Sequence, residues 1–277
     1  MRHGLVAVLA FGSLLGCQKQ DDHPPFVADC EDFCSPKPGI SIGTGSPSSG
    51  GSTSNPDTDG GTGTLTGQVL LLSDQTFANA ALFADGATVS ADGATGTPVT
   101  GTWDGADPYT LEGVAVVSTN WVSVKPNLVG GDPLLTYQAV QTSAVNTVNL
   151  GVIQASTLDA LFTSLSTLRS PNFGQVVLFF RSTGTGTPLA GLHVAMSSAD
   201  FAAYRSGTAW TLDDGTAVTD QNGLVVFGNV QPANSTGTQA VTVTRAASGS
   251  MQAMPEGTFA VKVVEGAATI ATVNVQL

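Results

Sequence analysis

Two short stretches near the end of the chain decide the fold: TFAVKV at residues 258–263 and TVNVQL at residues 272–277. In both stretches apolar side chains alternate with polar or small ones, so Phe259, Val261 and Val263 share one face. A period of two is typical of a β-strand with one buried and one solvated face. Because residues 192–196 and 241–244 alternate in the same way, the C-terminal part of the chain is predicted to be antiparallel β-structure.

Turn signals extend this prediction back to Leu65. Short apolar runs rich in Val, Thr and Phe are separated by dipeptides that favour tight turns. These dipeptides are Asp85-Gly86, Asp92-Gly93, Asp104-Gly105, Gly130-Gly131, Asp214-Gly215 and Asn222-Gly223. The fold class is therefore predicted to be mainly β, with two tandem antiparallel β-sandwiches of an Ig-like kind.

One segment between the two β regions has a helical period instead. Its apolar residues are three or four positions apart, at Leu158, Leu161, Phe162, Leu165 and Leu168. Ser156 and Asp159 predict the helix start, and Ser170-Pro171 predicts its end. We interpret the apolar stripe as a lid on a sandwich, with a partner-binding helix as the alternative.

The N-terminus has the pattern of an export signal. Arg2 precedes an apolar run from Gly4 to Leu15 that is too short to span a membrane and ends in Gly16-Cys17. The run resembles the signal of bacterial lipoproteins, which implies that Cys17 carries acyl chains such as palmitate and becomes the new N-terminus. Gln18 after this Cys resembles the pattern that directs lipoproteins to the outer membrane of Gram-negative bacteria. An ordinary cleaved signal with an incidental Cys is the alternative.

The segment that follows has the composition of a linker. Of the 30 residues from Ser35 to Thr64, 24 are Gly, Ser, Thr or Pro, and the aliphatic ones are Ile40 and Ile42. Such a segment cannot form a core and is predicted to be disordered. Upstream of it, Cys30 and Cys34 would meet an oxidising compartment after export, so we expect a local disulfide. A soft-metal site on the two thiols is the alternative.

Together these signals divide the chain into five parts. They are a signal peptide at residues 1–16, the lipidated Cys with a disordered linker at 17–64, a first β-sandwich at 65–153, a connecting helix at 154–172, and a second β-sandwich at 173–277.

The charge balance restricts the partners. The chain has 21 Asp and Glu residues against 9 Lys and Arg residues, a formal net charge of -12. Such a chain is repelled by phosphate backbones, so nucleic acid is excluded as a partner. We expect contact with the membrane through the lipid anchor, and with envelope proteins or polysaccharide. No cofactor is expected.

The second β region also resembles a known family. It contains GQVVLFF at residues 174–180, TPLAGLHV at 187–194, VTDQNGLVVFGNVQPA at 218–233 and AVTVT at 240–244. This order resembles the carboxypeptidase-regulatory-like, transthyretin-like β-sandwich family. The first β region resembles the same family more weakly. The resemblance implies a transthyretin-like sandwich that is non-catalytic and serves as a spacer or binding module.

Residues with catalytic or metal-binding chemistry are few. His193 alternates with Leu192 and Val194, so it is predicted to be a solvated histidine on the outer face of a strand. Asp213, Asp214 and Asp220 are oxygen ligands that could hold calcium. The structural alternative is that Asp220 caps a hairpin turn at residues 219–223, in which Asn222-Gly223 supplies positive φ.

Two functions follow from these patterns. The first is a non-enzymatic envelope lipoprotein whose sandwiches have a structural or protein-binding role. The second is a polysaccharide-binding or hydrolytic surface module, for which Trp121 offers a stacking surface if it does not pack on the neighbouring β region. A groove with two facing carboxylates and an aromatic platform would favour the second function.

Overall fold

The computed structural model of the chain describes residues 40–42, 61–117, 119–128, 132–233, 237–246 and 254–276. These residues form a mainly β protein with one helix, which confirms the predicted fold class. The strands before the helix are β1 (Ile40–Ile42), β2 (Thr62–Gly67), β3 (Val69–Leu72), β4 (Ala80–Leu82), β5 (Ala87–Ala91), β6 (Val99–Trp103), β7 (Tyr109–Ala115), β8 (Asn120–Pro126), β9 (Thr136–Val140), β10 (Val145–Thr147) and β11 (Leu150–Ile153). The helix α1 (Ala155–Ser164) is followed by β12 (Gly174–Ser182), β13 (Leu192–Ala195), β14 (Phe201–Ser206), β15 (Ala209–Leu212), β16 (Leu224–Val230), β17 (Thr238–Arg245), β18 (Met254–Lys262) and β19 (Ala268–Val275).

One large sheet runs through both predicted β regions. It has ten strands in the order β15-β14-β16-β12-β19-β9-β8-β5-β6, with β1 paired to β19 outside this path. The two regions meet where β9 runs parallel to β19, with Gln138 opposite Ile270. Strands of both predicted β regions thus share one sheet, and the described residues belong to one compact unit. Whether 65–153 and 173–277 fold as separate domains stays a prediction.

Three smaller sheets pack around the large one. Their orders are β10-β2-β7, β11-β3-β4 and β13-β17-β18. Most pairs of described strands are antiparallel, as the alternation predicts, but β10 with β2, β11 with β3, β12 with β19 and β19 with β9 are parallel. The architecture is therefore a set of mixed, sandwich-like layers.

The large sheet buries opposite faces in its two halves. In the C-terminal half, Val176 and Leu178 of β12 pack in one core with Val241 and Val261, so this half closes against the β13-β17-β18 sheet. In the N-terminal half, Val122 of β8 belongs to a second core with residues of β2, β3, β7 and β11. The alternation predicted for Phe259, Val261, Val263, Val273 and Val275 is confirmed, because all five are buried.

The helix covers the remaining face of the C-terminal half. Leu158, Leu161 and Phe162 are buried in one cluster with Val177 and Val226. These three residues of the stripe therefore act as a lid on a sandwich.

The predicted ends of the helix are partly wrong. Asp132 accepts a hydrogen bond from the Ser156 backbone N–H over 2.7 Å, while Asp159 pairs with Arg169. At the other end, Ser166 takes a positive φ of 58° and terminates the helix before Leu168, which is 81% exposed.

Part of the predicted linker is paired with the fold. Ile40, Ser41 and Ile42 lie antiparallel to β19, opposite Val275, Asn274 and Val273. The composition argument is wrong for these three residues, because an Ile-Ser-Ile triplet suits an unpaired stretch of strand edge. Strand β2 begins at Thr62, three residues before the predicted start of the first sandwich. The rest of the linker before residue 61, together with the signal peptide, lies outside the described residues.

Buried amide side chains tie neighbouring segments together. Gln138 of β9 accepts a hydrogen bond from Gly151 N over 2.9 Å and donates one to Asn149 O over 3.2 Å. Asn120 exchanges two hydrogen bonds of 3.0 Å with the backbone of Asp92. Because each buried amide is satisfied by backbone groups, it fixes the position of a second segment.

Candidate functional site

The predicted lipidation and disulfide residues precede the first residue that the structure describes. Cys17, Cys30 and Cys34 lie outside the described residues. Acylation of Cys17 and pairing of Cys30 with Cys34 therefore stay predictions.

The three acidic calcium candidates each belong to a local turn. Asp213 accepts a hydrogen bond from Gly215 N over 2.9 Å, and Asp214 accepts from Thr216 N and Thr216 Oγ1 over 2.9 and 2.6 Å. The side-chain and backbone hydrogen bonds from Thr216 hold the pKa of Asp214 below its usual value. Asp220 accepts from Asn222 N, Asn222 Nδ2 and Gly207 N, each over 2.8 Å. Among the described residues, no three His, Cys, Asp or Glu side chains are grouped as a metal site requires.

The segment at residues 219–223 is a turn but not a hairpin. The strand before it, β15, pairs with β14, and β16 pairs with β14 and β12. Gly223 N donates to Asp220 O over 2.9 Å, and Gly223 has a φ of 62°. The positive φ predicted for this turn therefore falls on Gly223 and not on Asn222.

His193 is not the solvated histidine that the alternation predicts. Its side chain is 31% exposed, and its Nε2 lies 3.4 Å from Asp213 Oδ2. Its ring stacks on Tyr204 with 6.4 Å between centroids. The face of the strand was predicted correctly, but the loop after β15 folds over that face and covers His193.

A first groove, the acidic groove, lies beside this contact. It has a volume of about 250 Å³ and is lined by Asp200, Asp213, Phe201, Phe227, Val194 and Met196, among others. Two carboxylates and the half-buried ring of Phe201 thus line one opening. Two carboxylates and an aromatic ring are among the features that the polysaccharide hypothesis names.

A second groove, the basic groove, lies on the same face of the large sheet as α1, because Phe179 and Leu224 pack in the same cluster as the helix. It has a volume of about 390 Å³ and is lined by Thr76, Phe77, Phe179, Arg181, Pro188, Arg205, Asn222 and Leu224, among others. Phe179 on β12 is the ladder partner of Leu224 on β16, and the register of β14 places Arg205 next to Leu224. Arg181 is two residues from Phe179 and so shares its face.

The sequence analysis missed the basic groove. Its arginines are on β12 and β14, which are separated in the sheet by β16. No spacing along the chain predicts that these positions meet. The one available signal is that the chain has only nine Lys and Arg residues, two of which line this groove.

The loop between β3 and β4 forms one wall of the basic groove. Burial raises the pKa of Asp74, but hydrogen bonds from Thr76 and Asn79 outweigh it, so the pKa lies below its usual value. Trp210 Nε1 donates to Gln75 O over 3.1 Å, and the Trp210 ring meets Phe77 edge to face at 6.4 Å. These contacts hold the loop against β15.

Trp121 takes the packing role among its two predicted alternatives. It is partly buried against the core of the C-terminal half. Trp121 and Val122 are adjacent in β8, so their side chains point to opposite faces of the strand. Val122 faces the N-terminal core, and Trp121 therefore faces away from it. The residue therefore belongs to the packing between the two β regions.

One serine motif has the letters of a hydrolase but not its geometry. GISIG at residues 39–43 matches the nucleophile elbow pattern, which requires a sharp turn from a strand into a helix. Ser41 instead lies within β1, opposite Asn274 of β19. A serine in the middle of a strand ladder cannot be an elbow.

Comparison with known proteins assigns no family. No protein-family model matches the sequence, and no curated protein matches it. The resemblance to carboxypeptidase-regulatory-like domains is therefore not confirmed.

Several solved structures are similar at a low level. The shaft pilin SpaA from Lactobacillus rhamnosus GG is 10% identical, with a TM-score of 0.23 over 78% of this chain and 99% of that chain. The RrgB pilus protein from Streptococcus pneumoniae is 10% identical, with a TM-score of 0.23 over 87% of this chain and 48% of that chain. A group B streptococcus pilus 2b backbone protein is 10% identical, with a TM-score of 0.23 over 69% and 78%. These scores are too low to support an argument about function.

Within the described residues, no helix combines the length and the apolar character needed to cross a membrane.

Proposed function

We propose that the chain is a non-enzymatic lipoprotein of the cell envelope, anchored through Cys17, whose β-sandwiches serve as a structural or protein-binding module. The observation that carries this proposal is the single sheet that joins both β regions through β9 and β19. Because the two regions share one sheet, force or binding on one region is transmitted to the other without a flexible joint. A rigid body of this kind suits display on a tether.

The buried amides support the same role. Gln138 ties β9 to the segment at Asn149 and Gly151, and Asn229 ties β16 to the segment after α1. These polar groups all bond to backbone and so stabilise the arrangement of segments. Polar groups used in this way are typical of a scaffold.

The anchor places this scaffold at the outer membrane of a Gram-negative bacterium in our proposal. The lipoprotein-like end of the signal at Gly16-Cys17 supports the lipid, and Gln18 supports outer-membrane sorting. Several acyl chains on one Cys hold a protein stably, at roughly 0.8 kcal/mol per buried methylene.

The test is a cell experiment on the full chain expressed in a Gram-negative host. We expect the membrane fraction to contain a mature protein that starts at an acylated Cys17 by mass spectrometry. Cys17→Ser should remain unprocessed, whereas the control Cys30→Ser, which also removes a thiol, should be processed normally. An unmodified N-terminus after residue 17 would contradict the anchor, and loss of the folded chain from the envelope would contradict the display role.

A second candidate function, polysaccharide binding or hydrolysis, is favoured by the acidic groove. Asp200 and Asp213 line it together with Phe201. Glycosidases use a pair of carboxylates across the scissile bond. The full chain would be incubated with peptidoglycan and neutral glucans, and reducing ends would be measured. Release of sugar that is lost in both Asp200→Asn and Asp213→Asn would establish this function and overturn the first proposal.

A further inference from the structure

The basic groove is a local exception to the charge of the protein. The chain has 21 acidic residues and a net charge of -12, yet the residues that line this groove include Arg181 and Arg205 and no Asp or Glu. A cationic groove in an acidic protein concentrates an anion at one place on the surface. Its charge therefore points to a ligand with a negative group.

Both arginines are oriented by one hydrogen bond each, and both retain N–H donors that are not used in it. Arg181 Nη1 donates to Gly186 O over 2.9 Å, and Arg205 Nε donates to Gly207 O over 3.0 Å. Among the described residues, no salt bridge joins Arg181 or Arg205 to a carboxylate. A guanidinium has five N–H donors, so each arginine can still bind an anion in a fixed orientation.

Two carboxylates are hydrogen-bonded to residues that line the groove, and both are occupied by other donors. Asp74 accepts from Thr76 N and Thr76 Oγ1. Asp220 is bonded to Asn222 of the groove, but its oxygens accept from Asn222 N, Asn222 Nδ2 and Gly207 N. Asp220 therefore holds the backbone of the groove in place. Its hydrogen bonds also orient the Asn222 amide at the rim.

The walls beside the arginines are apolar. Phe77, Phe179, Pro188 and Leu224 line the groove, and its volume of about 390 Å³ lies within the roughly 300–1,000 Å³ range of small-ligand sites. A sugar ring carries hydroxyls on all sides and needs many polar partners. Thr76 and Asn222 are the neutral polar side chains that line the groove, so a sugar would leave most of its hydroxyls against apolar walls. An anion joined directly to an apolar group fits these walls better.

We propose that the basic groove binds the C-terminal carboxylate of a partner protein whose last side chain is apolar. Arg181 and Arg205 hold the carboxylate, and the last side chain packs against Phe77, Phe179 and Leu224. A polyanion is disfavoured because the rest of the protein repels it, whereas a chain end carries a single charge. This inference rests on the protein-binding role proposed above and gives it a chemical class of partner.

The test uses the full chain purified in detergent and a fluorescein-labelled hexapeptide ending in Val-Leu with a free carboxylate. Fluorescence anisotropy should show saturable binding. The same peptide with a C-terminal amide should bind at least about tenfold more weakly, because charge-assisted hydrogen bonds are lost. Arg181→Gln and Arg205→Gln should each weaken binding by a similar factor, and Arg205→Lys by less than Arg205→Gln.

A charge-matched control separates the groove from general electrostatics. Lys125→Gln removes one positive charge from the exposed part of β8 and should leave peptide binding unchanged. Melting temperatures of all variants would show that they are folded. Equal binding of the acid and the amide, or no binding of either, would overturn the proposal. Binding of digalacturonic acid that displaces the peptide, or that occurs without peptide binding, would identify the groove as a glycan site instead.

The outcomes also separate this inference from the proposed function. If the peptide fails to bind while the acylated chain is found in the envelope, the groove inference alone falls. If the peptide binds but Cys17 is not acylated, the anchored display role falls and the groove remains.

Discussion

The carbonyl oxygen of Phe180 occupies the place that a β-carbon on Gly223 would need. Phe180 N also donates to Gly223 O over 2.7 Å, so the two backbones are held in direct contact. Gly223 has a φ of 62°, and Leu189 N lies only 3.0 Å from the same β-carbon position. This contact closes the turn before β16 onto β12.

Gly223→Ala should therefore lower the free energy of unfolding by more than the cost of placing an alanine at a positive φ. The left-handed conformation costs roughly 1–2 kcal/mol for an L-residue, and the collision with Phe180 O adds roughly 1–3 kcal/mol. We expect a total loss of about 2–5 kcal/mol in the free energy of unfolding, measured by urea denaturation. Gly223→Val should cost at least as much.

Gly207 provides the matched control for this substitution. Its φ is 61°, and nothing lies within 4 Å of the position of its β-carbon. Gly207→Ala should cost only the conformational part, about 1–2 kcal/mol. Equal losses for the two variants would show that the contact with Phe180 carries no energy.

Asn229 is a second position on which the fold depends. Its Oδ1 accepts from Ser170 N over 2.7 Å and its Nδ2 donates to Leu168 O over 3.0 Å. Its φ is 51°, unusual for a residue other than glycine. Asn229→Ala leaves both backbone groups without this partner and should cost about 2–4 kcal/mol of unfolding free energy.

Asn229→Gly separates the side-chain bonds from the backbone conformation. Glycine loses the same two hydrogen bonds but accepts the positive φ, so it should be more stable than the alanine variant by about 1 kcal/mol. Thermal or urea unfolding measures both. An alanine variant as stable as the wild type would mean that water replaces the Asn229 amide.

Alternation along single strands could be predicted from the sequence, but pairing between distant strands could not. The buried faces of Phe259, Val261 and Val263 follow from a period of two in adjacent residues. The parallel contact of Ile270 with Gln138 joins segments more than a hundred residues apart, and no local pattern encodes it. This contact is what joins the two predicted β regions in one sheet.

The errors in the predicted helix have a local cause. Leu168 continues the helical spacing, but Ser166 adopts the left-handed conformation that usually requires glycine at a helix end. Thr167 N then bonds back to Phe162 O over 2.9 Å and closes the last turn. Because a serine is not a typical helix terminator, the sequence does not indicate that the helix ends there. The predicted helix is therefore about one turn too long.

The candidate site was predicted less well than the fold. Asp213, Asp214 and Asp220 can be named as calcium candidates from the sequence, because close acidic residues are visible there, and whether they bind calcium stays a prediction. Arg181 and Arg205 lie on strands that are not neighbours, and they meet only when β16 inserts between them. A groove formed by residues of three strands that are distant in sequence produces no recognisable sequence pattern.

Asp74 should make the stability of the loop between β3 and β4 depend on pH. The pKa of its carboxyl is lowered, because hydrogen bonds from Thr76 and Asn79 outweigh the effect of burial. Its ionised form therefore stabilises the folded state above the unfolded pKa of about 4, and this contribution is lost as the pH falls through the lower folded pKa. The urea midpoint should fall less between about pH 7 and about pH 3 in Asp74→Asn than in the wild type.

Thr76→Val tests the assigned cause of this shift. Thr76 Oγ1 donates to Asp74 Oδ1 over 2.8 Å, and valine removes this donor while keeping the carboxylate. The pH dependence should then be intermediate between those of the wild type and Asp74→Asn. If Thr76→Val keeps the full dependence, other donors hold the Asp74 pKa down.

The last prediction concerns calcium at Asp213, Asp214 and Asp220. Each carboxylate accepts backbone hydrogen bonds within its own turn, which is sufficient to explain why these residues are there. We therefore expect that a chelator leaves the melting temperature of the full chain unchanged. Asp220→Asn should lower the melting temperature slightly with or without chelator, because its new amide nitrogen cannot accept from Gly207 N.

A calcium site would give a different pattern. An ion present at 100 times its Kd stabilises the folded state by about 2.7 kcal/mol, and its removal would lower the melting temperature by roughly 5–10 °C in a protein of this size. A drop of that size, reversed by added calcium and absent in Asp220→Asn, would show that the loop binds the ion. The turns around Asp213 and Asp220 would then have to rearrange, since their oxygens already accept backbone donors.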